Sequence, residues 1–314
     1  MTFMRRIGGC IEKSLRPAVK TGLWIIKITV PVSFGVLLLK LTGLLGVIAK
    51  CFAPLFTLIG LPGEAALVFV TAALVNIYAC IGVMETVGLN GDAVTILALM
   101  CLISHNLPVE TAVQKRTGSS FWLILGIRLT ASFAGALILN IFLGTDLQAA
   151  AATQIQTVSG GFAAEFETWL IGMAVLCAKI LVLITLLMIL QRIMEEFGII
   201  RWMSHLLRYP LMVLGIPRQA AFLWIVANTL GLAYGSGIII DHVERGRLSD
   251  RHADILNAHI AVSHSLLEDT LLFVAVGASL FWITVPRVVL AGAVVWTKRL
   301  AEGLIAKRSR HLAE

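Results

Sequence analysis

Charge is scarce in this chain: 14% of its 314 residues are Asp, Glu, Lys or Arg, against 58% hydrophobic residues and a mean hydropathy of +0.92. A soluble protein carries about 25% charged residues, so the deficit excludes an ordinary water-soluble fold. Cysteine is scarce too, and Cys10, Cys51, Cys80, Cys101 and Cys177 form no CxxC pair. Odd in number and scattered, they suit neither a disulfide framework nor a thiolate metal site, and read as small apolar helix residues. There is no Walker A loop, no HExxH and no GxSxG, so nothing signals an enzyme or a cofactor. The His-rich stretch DHVERGRLSDRHADILNAH at 241–259 matches no standard ligand spacing and reads as a solvated loop leading into a helix. No metal site is expected. A nucleic-acid partner is excluded as well, because no basic stripe interleaved with aromatics lies outside the flanks of the apolar segments.

What the chain has is long apolar segments, at 23–49, 65–84, 119–142, 169–190, 219–240 and 271–296. Most are long enough to cross roughly 30 Å of hydrocarbon as helices, so the chain is a multi-pass, all-α membrane protein surrounded by lipid. Residues 1–22 form a basic lead without a cleavage site (Arg5, Arg6, Lys13, Arg16, Lys20), and 298–314 form a basic tail (Lys298, Arg299, Lys307, Arg308, Arg310). The positive-inside rule places both ends in the cytoplasm of a cell with the chain in its inner membrane, which requires an even number of crossings.

The sequence also repeats itself. GLPGEAALVFVTA at 60–72 aligns with GIPRQAAFLWIVA at 215–227, and Gly82 with Gly237, at an offset of 155. Beyond four residues inserted within 241–251 the offset is 159, and SHNLPVET at 104–111 meets SHSLLEDT at 263–270. Gly118 then meets Gly277, and Arg128 meets Arg287. Internal repeats of this size are the usual construction of secondary transporters, with the substrate site at the midplane between halves. The expected organisation is a first repeat over 23–142, a connection over 143–167 and a second repeat over 168–297. The connection contains Asp146, Glu165 and Glu167 and no Lys or Arg, so it reads as extracytoplasmic. Each half then crosses an odd number of times, and the repeats are inverted.

Within each repeat the expectation is about three transmembrane helices plus a broken or re-entrant hairpin. We expect 65–86 to cross, and 91–117 with its partner 250–276 to dip and return, because Pro108 disfavours an unbroken helix at the octapeptide. One feature conflicts with this arrangement: it puts Arg245, Arg247 and Arg251 outside. Irregular backbone at membrane depth must be buried in protein or line a wet cavity, and ionisable groups there are functional by default. The candidate substrate-binding residues are His105, Asn106, Glu110 and Thr111 with His264, Ser265, Glu268, Asp269 and Thr270, supported by Asn76 and Asn228. The histidines have two readings, as ligand or proton carriers or as ties for the broken backbone. The acids also have two, as site groups or as helix N-terminal charges. Glu64, Tyr78, Glu85, Gln219, Thr229 and Tyr234 complete a second polar group. Gly231, Gly235 and Gly237 would permit close helix approach or local unwinding.

At NTLGLAYGSG and SHSLLEDT the sequence resembles the Gate, or nucleoside-recognition, family of polytopic membrane proteins, which includes the spore maturation proteins A and B. The first half departs from that pattern, with Val109-Glu110 in place of Glu-Asp and no Asn-Leu-Gly-Leu segment. The resemblance implies hairpins and broken helices framing a substrate path, and so a transporter of a small polar or amphipathic, nucleoside-like solute by alternating access, with proton coupling as an option. It also allows a non-transporting scaffold or signalling protein. A membrane-embedded lipid-handling enzyme is the remaining alternative. The apolar surface would permit a homodimer, although no residue pattern requires one.

Overall fold

A computed structural model describes residues 3–89, 91–144 and 161–311; Asp146 and the rest of 145–160 lie outside the described residues. The fold is all-α. Five helical stretches are long and apolar enough to cross a membrane: Phe3–Leu41, Gly91–Arg116, Phe121–Leu143, Gly161–Glu196 and Leu280–Leu304.

Helix α1 (Phe3–Leu41) runs without a break through the basic lead. It lies antiparallel to α8 (Gly161–Glu196) along its whole length. Arg6 Nε donates to Glu196 Oε1 at 2.9 Å, Trp169 Nε1 to Ser33 Oγ at 2.9 Å, and Lys40 Nζ to Glu165 Oε2 at 2.9 Å. These pairs define two ends of the bundle: a terminal end, where the chain begins, and a far end at Lys40 and Glu165.

After α2 (Leu44–Thr57), α3 (Ala65–Leu74) and α4 (Ile77–Val87) form a hairpin from the far end. Its entrance abuts α2: a Cβ on Gly63 would sit 2.0 Å from the Ala49 carbonyl oxygen. Its exit, Val87–Gly88, lines a cavity with Lys40 and Glu165. The turn is at Val75, with φ −107° and ψ −82°, and at Asn76, whose side chain caps α4 by accepting from the Ala79 amide. Arms of 10 and 11 residues reach about 15 Å each at 1.5 Å per residue, half a bilayer.

The next stretch is long and apolar enough to cross. Helix α5 (Gly91–Ser104) starts at the far end, and α6 (Leu107–Arg116) carries on past the octapeptide to Ser119, whose hydroxyl donates to Asp254 Oδ1 at 2.6 Å. Helix α7 (Phe121–Leu143) returns to the far end, where Phe142 stacks on Trp282.

The helices that follow α8 start from the opposite end. The short helices α9 (Ile199–Leu206) and α10 (Arg208–Val213) lead to Gly215, then to a hairpin of α11 (Ala221–Thr229) and α12 (Leu232–Glu244). The two arms nearly touch where Gly235 faces Ala227, since a Cβ there would meet Ala227 Cα at 2.9 Å. Helix α13 (Asp250–Ser263) and α14 (Glu268–Ala275) form a broken span reaching the far end, where the Ser279 amide donates to Thr95 Oγ1 at 3.2 Å. Helix α15 (Leu280–His311) comes back, with Lys298 bonded to Asp254, Arg299 to the Gly215 carbonyl, and Arg251 to Glu302.

The structure therefore corrects the sequence-based expectation. Residues 65–86 and 219–240 fold as hairpins with short arms, while 91–117 and 250–276 run from one end of the bundle to the other with a break at the octapeptide. The hairpins turn because Val75–Asn76 and Leu230–Gly231 interrupt each apolar run half-way. The octapeptides bend the chain but do not reverse it. One consequence is that 241–251 returns to the terminal end, so its three arginines join the other basic segments.

Candidate functional site

Pro108 has no amide proton, and the chain passes through the left-handed region at Asn106 (φ 49°) and at its partner Ser265 (φ 53°). Among the described residues these are the non-glycine positions with positive φ. Each break strands the last carbonyls of a helix, which water cannot satisfy at membrane depth. A buried arginine does so instead. Arg128 Nε donates to Ile103 O at 2.8 Å and its Nη2 to His105 O at 2.6 Å. Arg287 Nε donates to Val262 O at 3.3 Å and its Nη2 to His264 O. Both arginines are 0% exposed, and a cation suits a helix C-terminus. The hairpin tips pin the same breaks: the Asn106 amide donates to Ala72 O at 2.9 Å, and the Leu267 amide to Asn228 O at 3.3 Å.

The two octapeptide histidines face each other, with ring centroids 4.9 Å apart. His105 Nδ1 lies 3.1 Å from Cys101 O, and His264 Nδ1 lies 2.8 Å from Ile260 O. A carbonyl only accepts, so each Nδ1 carries a proton, and each Nε2 faces the space between the breaks, bare in a neutral ring and a donor in an imidazolium. Glu110 sits there. Its Oε1 is 3.2 Å from His105 Nε2, and its Oε2 is 3.0 Å from His264 Nε2 and accepts from Arg128 Nη2 at 2.7 Å. Asp269 Oδ2 is 3.2 Å from His105 Nε2. Both Nε2 atoms thus meet carboxylate oxygens, an arrangement that calls for a cation or a proton between them. With Glu268 included, the cluster of Arg128, Arg287, Glu110 and Asp269 has one more carboxylate than guanidinium groups.

The structure brings together His105, Glu110, His264 and Asp269. Glu268 stands beside them, accepting from Tyr78 OH at 2.8 Å and from Gln191 Nε2 at 3.4 Å. Thr270 Oγ1 accepts from Arg287 Nη1 at 3.2 Å, whereas Thr111 Oγ1 is buried without a partner among the described residues. Asn106 and Ser265 shape the breaks through their backbone. Asn76 is a cap, and Asn228 Nδ2 donates to Trp224 O at 2.9 Å while its Oδ1 has no partner among the described residues. Glu64, Glu85 and Gln219 do not join the cluster. Glu85 instead lines a cavity of about 460 Å³ at the far end with Lys40, Glu165 and Trp169. The Tyr234 side chain lies outside the described residues. Gly235 serves close approach and Gly231 (φ 87°) the hairpin turn, while a Cβ on Gly237 would meet open space.

The sequence reading missed three contributors. Arg128 and Arg287 were visible as matched positions inside apolar helices, which is the signal that should have marked them. Gln191, near the end of an apolar helix, carries no such signal. Of the histidines in 241–259, His259 is a packed core residue whose Nδ1 accepts from Trp224 Nε1 at 3.0 Å, and none joins the cluster.

No protein-family model matches the chain, and no solved structure matches it. The chain is similar to the uncharacterized membrane protein YvoD of Bacillus subtilis (strain 168), with 28% identity over 276 residues, 84% of this chain and 86% of that protein. It is a multi-pass membrane protein, distantly homologous to YvoD.

Proposed function

We propose that the protein is a transporter that moves a small polar solute by alternating access around the His105–His264 pair. One observation carries this: two discontinuous helices crossing in opposite directions meet at a buried ionisable cluster, and each break is pinned by a hairpin entering from the opposite end to the other. Broken helices at the meeting of two oppositely oriented halves are how membrane transporters place a site at the midplane. The inverted-repeat reading is supported by matched local structure at the sequence-matched positions. Gly60 and Gly215 (φ 73° and 86°), Gly118 and Gly277 (φ 103° and 102°), and the two arginine caps repeat in kind.

The orientation follows from charge. Lys115, Arg116, Arg192, Arg201, Arg208, Arg247, Arg251 and Lys298 gather toward the terminal end, while Glu85, Asp92, Glu165 and Glu167 lie toward the far end with Lys40 and Lys50. The positive-inside rule makes the terminal end cytoplasmic. With the histidine rings in contact, no nucleoside-sized solute fits between them in this conformation, so loading requires the two halves to part. A nucleoside-like solute is what the Gate resemblance suggests. Nε2 atoms facing carboxylates also offer a place for a coupling proton.

The test is uptake of radiolabelled nucleosides and other small polar solutes into vesicles containing the purified protein. A solute taken up by the native protein should enter His105→Ala and His264→Ala vesicles no faster than protein-free ones. Unchanged uptake by both variants would contradict the assignment.

A further inference from the structure

We infer that His105 Nε2, His264 Nε2 and the Glu110 carboxylate form a binding site for a single divalent transition-metal cation, with Asp269 at its edge. These three donor groups converge within 4.8 Å of one another, and the two imidazoles are 3% and 0% exposed.

Three features of the cluster support a cation over hydrogen bonds alone. The first is the pair of backbone bonds. A metal-ligating imidazole almost always donates its other ring N–H to a carbonyl or carboxylate, which fixes the tautomer and aims the lone pair. Both histidines do this, through Cys101 O and Ile260 O. The second is spacing. Nitrogen and oxygen ligands at 2.0–2.1 Å in a tetrahedral shell stand about 3.3 Å apart, whereas charge-assisted N–H···O bonds close to about 2.7–2.9 Å. The observed Nε2–carboxylate separations are 3.2, 3.2 and 3.0 Å. The third is His264 Nε2 itself, which is buried and has no aligned hydrogen-bond partner among the described residues even though Glu110 is near.

Two imidazoles with a carboxylate select borderline first-row cations such as Zn2+, Ni2+ or Co2+ over Mg2+ or Ca2+, which prefer oxygen-only shells. Arg128 holds the Glu110 carboxylate in place through Oε2, and the excess carboxylate offsets part of the cation's charge. The search for metal motifs in the sequence could not find this site, because His264 is far from His105 and Glu110 along the chain. This inference rests on the cluster being a binding centre, and not on any solute being moved.

The experiment uses the full chain, purified on a histidine-free tag and stripped with chelator, then titrated with Zn2+ by calorimetry and with Co2+ by visible absorption, against Mg2+. One equivalent of Zn2+ or Co2+ should bind, with the intense visible bands of a tetrahedral Co2+ site. His105→Asn and His264→Asn keep an amide donor for the carbonyl four residues back but offer no Nε2. Affinity in each should fall at least about 100-fold, since loss of outer partners alone costs 10–100-fold. The exposed His205→Ala should bind as the native protein does, and thermal unfolding checks that all variants are folded. Absence of a saturable equivalent, or equal affinity in both Asn variants, would overturn the site. Intact metal binding with no solute uptake by any vesicle would instead count against the transport reading alone. Uptake that depends on both histidines in a protein that binds no cation would do the reverse.

Discussion

Arg128 shows how a single residue can be both a structural and an electrostatic necessity. Its planar fork reaches two stranded carbonyls and Glu110 at once, from a side chain with no exposure. Lysine presents one point charge and cannot replace that fork. Removing one partner of a buried charge pair costs about 3–5 kcal/mol, so Arg128→Ala and Arg128→Lys should both unfold at clearly lower temperature than the native protein in detergent. An unchanged midpoint in Arg128→Ala would show that the break is held by other means. The histidines show why the sequence left two readings open. Each was read either as a tie for broken backbone or as a site group; each Nδ1 bonds the carbonyl four residues back, which leaves Nε2 to face the carboxylates. A one-dimensional pattern could not separate these roles, because they belong to two atoms of the same side chain.

At the scale of elements, the octapeptides were legible as breaks, but their direction was not. Pro108 and the polar run signal that a helix is interrupted; whether the chain then reverses depends on what the next helix packs against. Conversely, NIY at 76–78 and LGL at 230–232 stand in apolar runs long enough to span, and hydropathy alone reads through them. Only the Asn76 cap and the Gly231 conformation reveal the turns. The left-handed breaks make a prediction of their own. A branched side chain pays about 1–2 kcal/mol in that region and glycine does not, so Asn106→Val should be less stable than Asn106→Gly by about that amount. Equal unfolding midpoints for the two would mean that the break relaxes. The hairpin entrance is less forgiving, since any Cβ at Gly63 meets the Ala49 backbone, whereas Gly8 faces open space. Gly63→Ala should therefore lower the yield of folded protein and Gly8→Ala should not.

For the whole molecule, the sequence was sufficient for the multi-pass membrane class and the all-α fold. It expected the octapeptide segments to turn back, whereas they run the length of the bundle, and the outlying arginines of 241–251 were the visible sign. Exchanging hairpin and crossing moves those arginines to the basic end without changing the odd number of crossings in each half. The exchange also decides how the octapeptides meet: as the midpoints of two crossing helices, not as two facing tips. The most direct test is side-specific labelling in cells of Asp92→Cys and Arg247→Cys, each made with Cys51 replaced by Ser, using a membrane-impermeant maleimide. Asp92 starts α5 at the far end, and Arg247 follows α12 at the terminal end. The structure, oriented by its basic end, predicts that Asp92→Cys is labelled in intact spheroplasts and that Arg247→Cys is labelled only after permeabilisation. The opposite pattern, with Arg247→Cys open to the outside and Asp92→Cys protected, would contradict it and restore 65–86 and 219–240 as the crossing segments.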